Sequence, residues 1–137
     1  EAYALIDVEP DVSERVAMLK GGQRVRFERV GDKIVAISLG SSFESSVCKG
    51  LLNIGADVAF VVSQRDENFR LSARARPEMV RAGLHLGKML EGLGKETDNE
   101  GGGHPGAAGL TGVGDAEAMA NICMKKTMDF LRALAKN

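Results

Sequence analysis

The sequence predicts an α/β fold: a single domain with a mixed β-sheet flanked by helices. Three observations carry this expectation. Residues 69–75, FRLSARA, alternate strictly between small or apolar and polar side chains, the two-residue period of a half-buried strand. Residues 57–64, DVAFVVSQ, hold an unbroken apolar run short enough for a fully buried strand. Segments with 3.6-residue apolar spacing lie before and after these two, so strands and helices interleave along one chain.

Taken in order, YALIDVE near the start reads as a strand, and DVSERVAMLKGG as a short helix closed by Gly21 and Gly22. RVRFERVGDKIVAISL follows, two β-rich runs around Gly31-Asp32 with Val25 and Phe27 alternating against arginines, which is a hairpin signal. SSFESSVCKGLLNIGAD reads as a helix. Ser42 is placed to cap it, Glu44 suits its first turn, and Gly55 closes it. Phe43, Val47, Leu51 and Ile54 share its apolar face. Gly50 within it costs roughly 1 kcal/mol against alanine, so packing must hold this helix.

The strand at 57–64 turns at RDEN into the alternating strand, with Phe69, Leu71, Ala73 and Ala75 inward and Arg70, Ser72, Arg74 and Arg76 outward. Pro77 ends it. EMVRAGLHLGKMLEGLGKE reads as one helix burying Leu84, Met89, Leu90 and Leu93, with His85 an ordinary structural histidine. A glycine-rich loop comes next, then LTGVG. Asp115 caps a last helix reaching about Ala135, whose stripe is Met119, Ile122, Cys123, Phe130 and Leu134. Lys125, Lys126, Arg132 and Lys136 on it serve solubility. Residues 1–22 read as an N-terminal segment or linker, and 23–137 as the domain itself.

Composition narrows the function classes. At 137 residues, 44% apolar and 27% charged, the chain can bury one ordinary core. The longest apolar run is far too short to cross a bilayer, and the acidic start lacks the basic region of a signal peptide. The chain does not begin with Met, which leads us to expect a piece of a longer protein. A net charge of −1 gives no global field for nucleic acid, although Arg70, Arg74, Arg76 and Arg81 face one acid, Glu78, locally. Cys48 and Cys123 stand far apart in apolar patterns. They read as small core residues in a reducing, cytoplasmic setting, not as a zinc pair or a disulfide. With no Trp and a single Tyr, a broad stacking platform for single strands is not expected.

The stretch 99–109, NEGGGHPGAAG, holds five glycines, each costly to order. Gly101, Gly103 and Gly106 satisfy G-x-G-x-x-G, but no apolar strand precedes them. Lys126 stands about where an acid would bind ribose, about 20 residues on. No Gly-Lys-Ser/Thr follows either, so neither a dinucleotide fold nor a P-loop is expected. His104, Pro105 and the tight AAG also differ from a flexible linker. A preorganised turn with free N–H groups and a histidine donor makes an anion site.

GGGHPGAAG resembles the GGGHxxAAG signature of the DHHA1 domain, the C-terminal substrate-binding domain of DHH phosphoesterases. That family includes RecJ-type single-strand exonucleases, oligoribonucleases acting on very short RNAs, and bifunctional nucleotide phosphatases. FRLSARAR is similar to the family's Ser-x-Arg strand, here Ser72 and Arg74. VRAGLHLGKMLEGLGKE is similar to the helix before the loop, especially in archaeal RecJ-like members. The similarity spans residues 43–135. It implies that Ser72, Arg74, Gly101, Gly102, Gly103, His104, Ala107 and Ala108 grip the phosphate of a single-stranded nucleic acid, oligonucleotide or nucleotide. Arg70 and Arg76 extend a backbone track or form a plain solvated face. It also implies an upstream DHH domain holding manganese or magnesium. This chain has no Asp-His-His run and two histidines, His85 and His104, so it is expected to bind no metal and to be inactive alone. The runner-up is the C-terminal tRNA-binding and dimerisation domain of alanyl-tRNA synthetases, for which a homodimer is expected. A purely structural interaction domain would leave the arginine face and the histidine unexplained.

Overall fold

Six strands form one sheet in the order β1-β2-β3-β4-β6-β5. The structure, a computed structural model, describes residues 11–136; the strand expected at YALIDVE lies outside the described residues. The elements are α1 (Val12–Gln23), β1 (Arg26–Val30), β2 (Lys33–Leu39), α2 (Glu44–Ile54), β3 (Val58–Arg65) and β4 (Asn68–Ala75). They continue as α3 (Pro77–Arg81), α4 (Leu86–Thr97), β5 (Glu100–His104), β6 (Ala107–Val113) and α5 (Ala116–Ala135). Strands β2 and β3 run parallel, joined by the α2 crossover, and every other pairing is antiparallel. The mixed sheet flanked by helices is therefore as expected.

The alternation in β4 sorts the two faces. Phe69, Leu71 and Ala73 are buried in the main core with Val35, Phe60, Leu90, Leu110, Cys123 and Leu131, so α4 and α5 cover that side. The opposite side carries a smaller core of Ala36, Ala59 and Val61 under Val47, Cys48 and Leu51 of α2. Helix α1 packs on α2 so closely that a Cβ at Gly21 would stand 2.4 Å from Val47 Cγ1. Gly21 and Gly22 therefore lie inside the helix, which runs on to Gln23 and ends at Arg24.

Several local expectations are corrected. Phe43, not Ser42, occupies the N-cap of α2, in the left-handed region at φ 55°, with no side-chain cap; this turn puts Ser42 outside the helix. Ile54 points to solvent at 74% exposed, while Val47, Cys48 and Leu51 form the buried face. The helix expected over 78–96 is two helices. Gly83 at φ +112° breaks the run, a conformation open to glycine, and the His85 side chain caps α4 by accepting from the Lys88 N–H at 3.0 Å. In α5 the buried stripe is Met119, Cys123, Met124, Thr127 and Leu131, with Ile122 37% exposed.

The largest correction is the glycine-rich segment. It is a β-hairpin, β5 and β6 joined through Pro105-Gly106, and not a loop. Glycine disfavours strands, but here tertiary packing decides. A Cβ at Gly101 would lie 2.2 Å from the Leu90 carbonyl oxygen of α4, and one at Gly87 of α4 would lie 2.2 Å from the Gly103 carbonyl oxygen. Helix and strand backbones touch directly, and side chains at those positions would force them apart.

Candidate functional site

Residues opposed across an antiparallel pair point to the same face. Arg74 pairs with Ala107 and Ala107 with His104, so these three form one row across β4, β6 and β5. The next row is Ser72, Gly109 and Gly102, and the third is Arg70, Thr111 and Glu100. All three rows lie on the α2 side of the sheet. Helix α4, which packs on β5, lies on the other side, with its Leu90 carbonyl against the core face of Gly101. The result is a shelf nearly bare of side chains, with a guanidinium rising on one flank and an imidazole on the other. Two strand spacings put the Arg74 and His104 backbones about 10 Å apart, within reach of one anion for two long side chains. A Cβ at Gly102 would meet nothing within 4 Å, so the shelf floor is open to a ligand.

Local contacts fix the shelf. The Leu86 N–H donates to the Pro105 carbonyl at 2.9 Å, and the Ala75 N–H to the Gly106 carbonyl at 3.0 Å, so the turn beside His104 is held from both sides. Half-buried Arg74 donates from Nη2 to Ser45 Oγ at 3.3 Å, which ties it to the first turn of α2. His104 and Arg70 are exposed.

Of the residues expected to grip phosphate, Ser72, Arg74, Gly102, His104 and Ala107 share the open face. Gly101, Gly103 and Ala108 fall on the core face by register, and Ala108 packs against the main core. Arg76 departs from the track assigned to it. It lies beyond the end of β4, and its Nε and Nη2 donate to the carbonyls of Ala56 and Leu52 at 2.9 and 2.7 Å. It closes the C-terminal end of α2, with Asp57 3.9 Å away, and its guanidinium is thereby committed.

Both thiols are buried, and burial pushes each up to about 12 from the usual 9.0. Neither forms a thiolate nucleophile near neutral pH. Among the described residues no group of three or more His, Cys, Asp or Glu side chains could hold a metal ion, and no helix is long and apolar enough to cross a membrane.

Beside the shelf lies a cavity of about 750 Å³ between the β2–α2 connection and the β3–β4 hairpin. It was missed in the sequence, although SSFESS sets four serines around Phe43 and Glu44. Serine clusters are common in loops, and only the fold brings this one to face Ser63, Arg70 and Ser72.

The bare shelf, the Ser-x-Arg strand and the histidine hairpin coincide with a family match: the DHHA1 domain model covers residues 31–133. The chain belongs to the DHHA1 domain family. A curated relative, the uncharacterized protein MJ0988 of Methanocaldococcus jannaschii, is 36% identical over 143 residues, covering 97% of this chain and 43% of that protein. The chain thus spans less than half the length of that relative. Among solved structures, an exopolyphosphatase-related protein from Bacteroides fragilis superposes with TM-score 0.64 at 13% identity, over 90% of this chain and 37% of that one. The C-Ala domain of alanyl-tRNA synthetase from Aquifex aeolicus gives 0.57 at 17% identity, over 75% and 96% respectively. The pGpG-specific phosphodiesterase PggH from Vibrio cholerae gives 0.53 at 12% identity, over 88% and 39%. At these identities the structural likeness establishes the shared fold of the DHHA1 domain.

Proposed function

We propose that this chain is the phosphate-gripping domain of a cytoplasmic DHH phosphoesterase of the RecJ-like or oligoribonuclease type. Its substrate is a phosphodiester, single-stranded DNA or RNA or a short oligonucleotide. The observation that carries this reading is the single row Arg74, Ala107, His104 on an open, side-chain-poor face. Arg74 supplies a planar, permanently charged donor fork that matches phosphate oxygens. His104 adds a donor from the opposite flank, and Ser72 a hydroxyl in the next row. Arg70, one row further, neutralises the neighbouring backbone phosphate. Positioning and charge stabilisation are what such a site contributes to hydrolysis. The manganese or magnesium of such an enzyme is assigned on this reading to a DHH domain outside this chain, since among the described residues no three His, Cys, Asp or Glu side chains gather into one site.

The test is an amide-shift titration of this chain with a short 5′-phosphorylated oligonucleotide at moderate salt. Shifts gathered at Ser72, Arg74, Gly102, His104 and Ala107, lost in Arg74→Ala and His104→Ala, are expected. Absence of shifts there at millimolar ligand refutes the phosphate site. In an enzyme containing this domain, His104→Ala is expected to depress turnover strongly without unfolding it.

One observation favours a second reading. The match covers nearly all of the C-Ala domain, in keeping with a tRNA-binding and dimerisation module. A stable homodimer in solution together with tRNA binding would favour it over the phosphoesterase.

A further inference from the structure

The cavity beside the shelf shares Ser72 and Arg70 with it, and Arg74 ties the two together, since its guanidinium donates to Ser45 on the cavity wall. Two residues on its wall stand out. Phe43 is 39% exposed at the cavity wall and holds the left-handed conformation at φ 55°, which bulky side chains rarely adopt. Glu44 is 7% exposed, unusual for a carboxylate without a cation. Its Oε2 accepts from Ser63 Oγ at 2.6 Å. Among the described residues no Lys, Arg or His lies within 4.0 Å of it; Oε1 has no protein donor, and since no buried side-chain oxygen is left unpartnered, Oε1 opens to the cavity. The cavity is polar and roomy, and Arg65 and Arg70 also line it, with Arg70 opposite Ser63 across β3 and β4.

A buried carboxylate with free acceptor capacity calls for a ligand that brings donors. An exposed aromatic face beside it calls for a flat ring. Both needs are met by a nucleobase, since unstacked bases are read by aromatic stacking and by hydrogen bonds to their Watson–Crick edges. Among the four bases, guanine alone places two adjacent donors, N1–H and the N2 amino group, on that edge. Adenine places an acceptor beside its donor, and a carboxylate repels that acceptor.

We infer that the cavity framed by Phe43, Glu44, Ser63 and Arg70 is a base-recognition pocket that selects guanine in the nucleotide whose phosphate lies on the shelf. Glu44 accepts from the guanine edge, Phe43 stacks on the ring, and Arg74 stands at the junction of base and phosphate. This inference rests on the phosphate reading above for the position of the nucleotide, but the base contacts it assigns to Phe43 and Glu44 have no part in that reading.

The experiment compares GMP, AMP and guanosine in amide-shift titrations of this chain at one ionic strength. The expected result is binding of GMP about tenfold tighter than AMP, the size of a good bidentate base contact, with shifts at residues 41–46 and 63–70. Glu44→Gln is expected to bring the two nucleotides within about twofold of each other while leaving AMP unchanged. Phe43→Gly is expected to weaken both about tenfold, as loss of a stacked base does. It should leave the melting temperature equal or higher, because glycine relaxes the left-handed turn. Equal binding of GMP and AMP by the unaltered chain would overturn the inference, and so would a guanine preference that survives Glu44→Gln. Guanosine separates the two readings. If it shifts the cavity as GMP does, and GMP adds no shifts at Arg74 or His104, the phosphate site fails and the base pocket stands.

Discussion

Two of the three glycines in helix α4, Gly87 and Gly92, differ in what faces them, and substituting each tests the direct contact between helix and strand. A methyl group at Gly92 meets nothing within 4 Å, whereas one at Gly87 lies 2.2 Å from the Gly103 carbonyl oxygen and 2.6 Å from its carbon. Alanine in a helix interior is favoured over glycine by about 1 kcal/mol, so Gly92→Ala is expected to stabilise by that amount. At Gly87 a carbon needs about 3.3 Å from a carbonyl oxygen, so the helix must lift by about 1 Å. A gap of that size forfeits up to roughly half of the dispersion attraction at each contact, and the contacts at risk include buried Leu86, Leu90 and Leu93. Overpacking of this kind typically costs about 1–3 kcal/mol. Both colliding groups are backbone and neither can rotate away, so Gly87→Ala is expected to destabilise by about 2 kcal/mol. In thermal unfolding this is a rise of about 3 °C for Gly92→Ala and a fall of about 6 °C for Gly87→Ala. Urea midpoints should move in the same order. Equal stability of the two variants, or a more stable Gly87→Ala, would refute the direct packing of α4 on β5.

Arg76→Ala is expected to destabilise the fold by about 1–2 kcal/mol, through loss of two carbonyl partners at the end of α2, while the folded fraction binds oligonucleotide unchanged; urea melts and a titration check this. Asp115 accepts from the N–H groups of Glu117 and Ala118 at the start of α5, so Asp115→Ala should cost about 1 kcal/mol in the same melts. Burial raises Cys48 and Cys123 from 9.0 to about 12. The native state therefore keeps protons that the unfolded chain releases. Stability is full below pH 9 and falls as pH rises from there through 12. Melts across that range, repeated on a double Cys→Ala variant with a flatter alkaline limb, check the sign. Thiol alkylation at pH 7 should track unfolding.

The parts of the fold legible in sequence are those where side chains set the pattern. The alternation of Phe69, Leu71 and Ala73 against Arg70, Ser72 and Arg74 appears in the structure as two opposite faces. The Asp66-Glu67 turn and the Asp115 cap also stand where expected. What stayed hidden depends on distant backbone. Gly101 and Gly103 carry no side-chain period, so their strand is visible only once α4 is seen to need them bare. Pattern alone ran one helix through Gly83, because Leu84 and Leu90 both fit an apolar face. Ile54 fits the α2 stripe on a helical wheel, but it borders an open apolar groove with Phe27 of β1 and Ile34 of β2 and stays exposed. At the candidate site, the motif named Arg74 and His104 together, and register across Ala107 places them in one row. Phe43 and Glu44 were legible as parts of α2 but not as walls of a cavity, because its far side is made by Ser63 of β3 and Arg70 of β4.

The direct seating of α4 beneath the glycine hairpin also bears on the timing of entropy loss. A free GGGHPGAAG segment samples many conformations, and a ligand that had to order it would bind weakly. Here the ordering is complete once the helix docks, during folding. On the proposed reading, a phosphate reaching the shelf would meet a floor already ordered and backed by a helix on its far side. The same glycines that would make a loop soft let strand and helix touch here, and the recognition proposed above would draw on side-chain reach from Arg74 and His104 without first having to shape the ground between them.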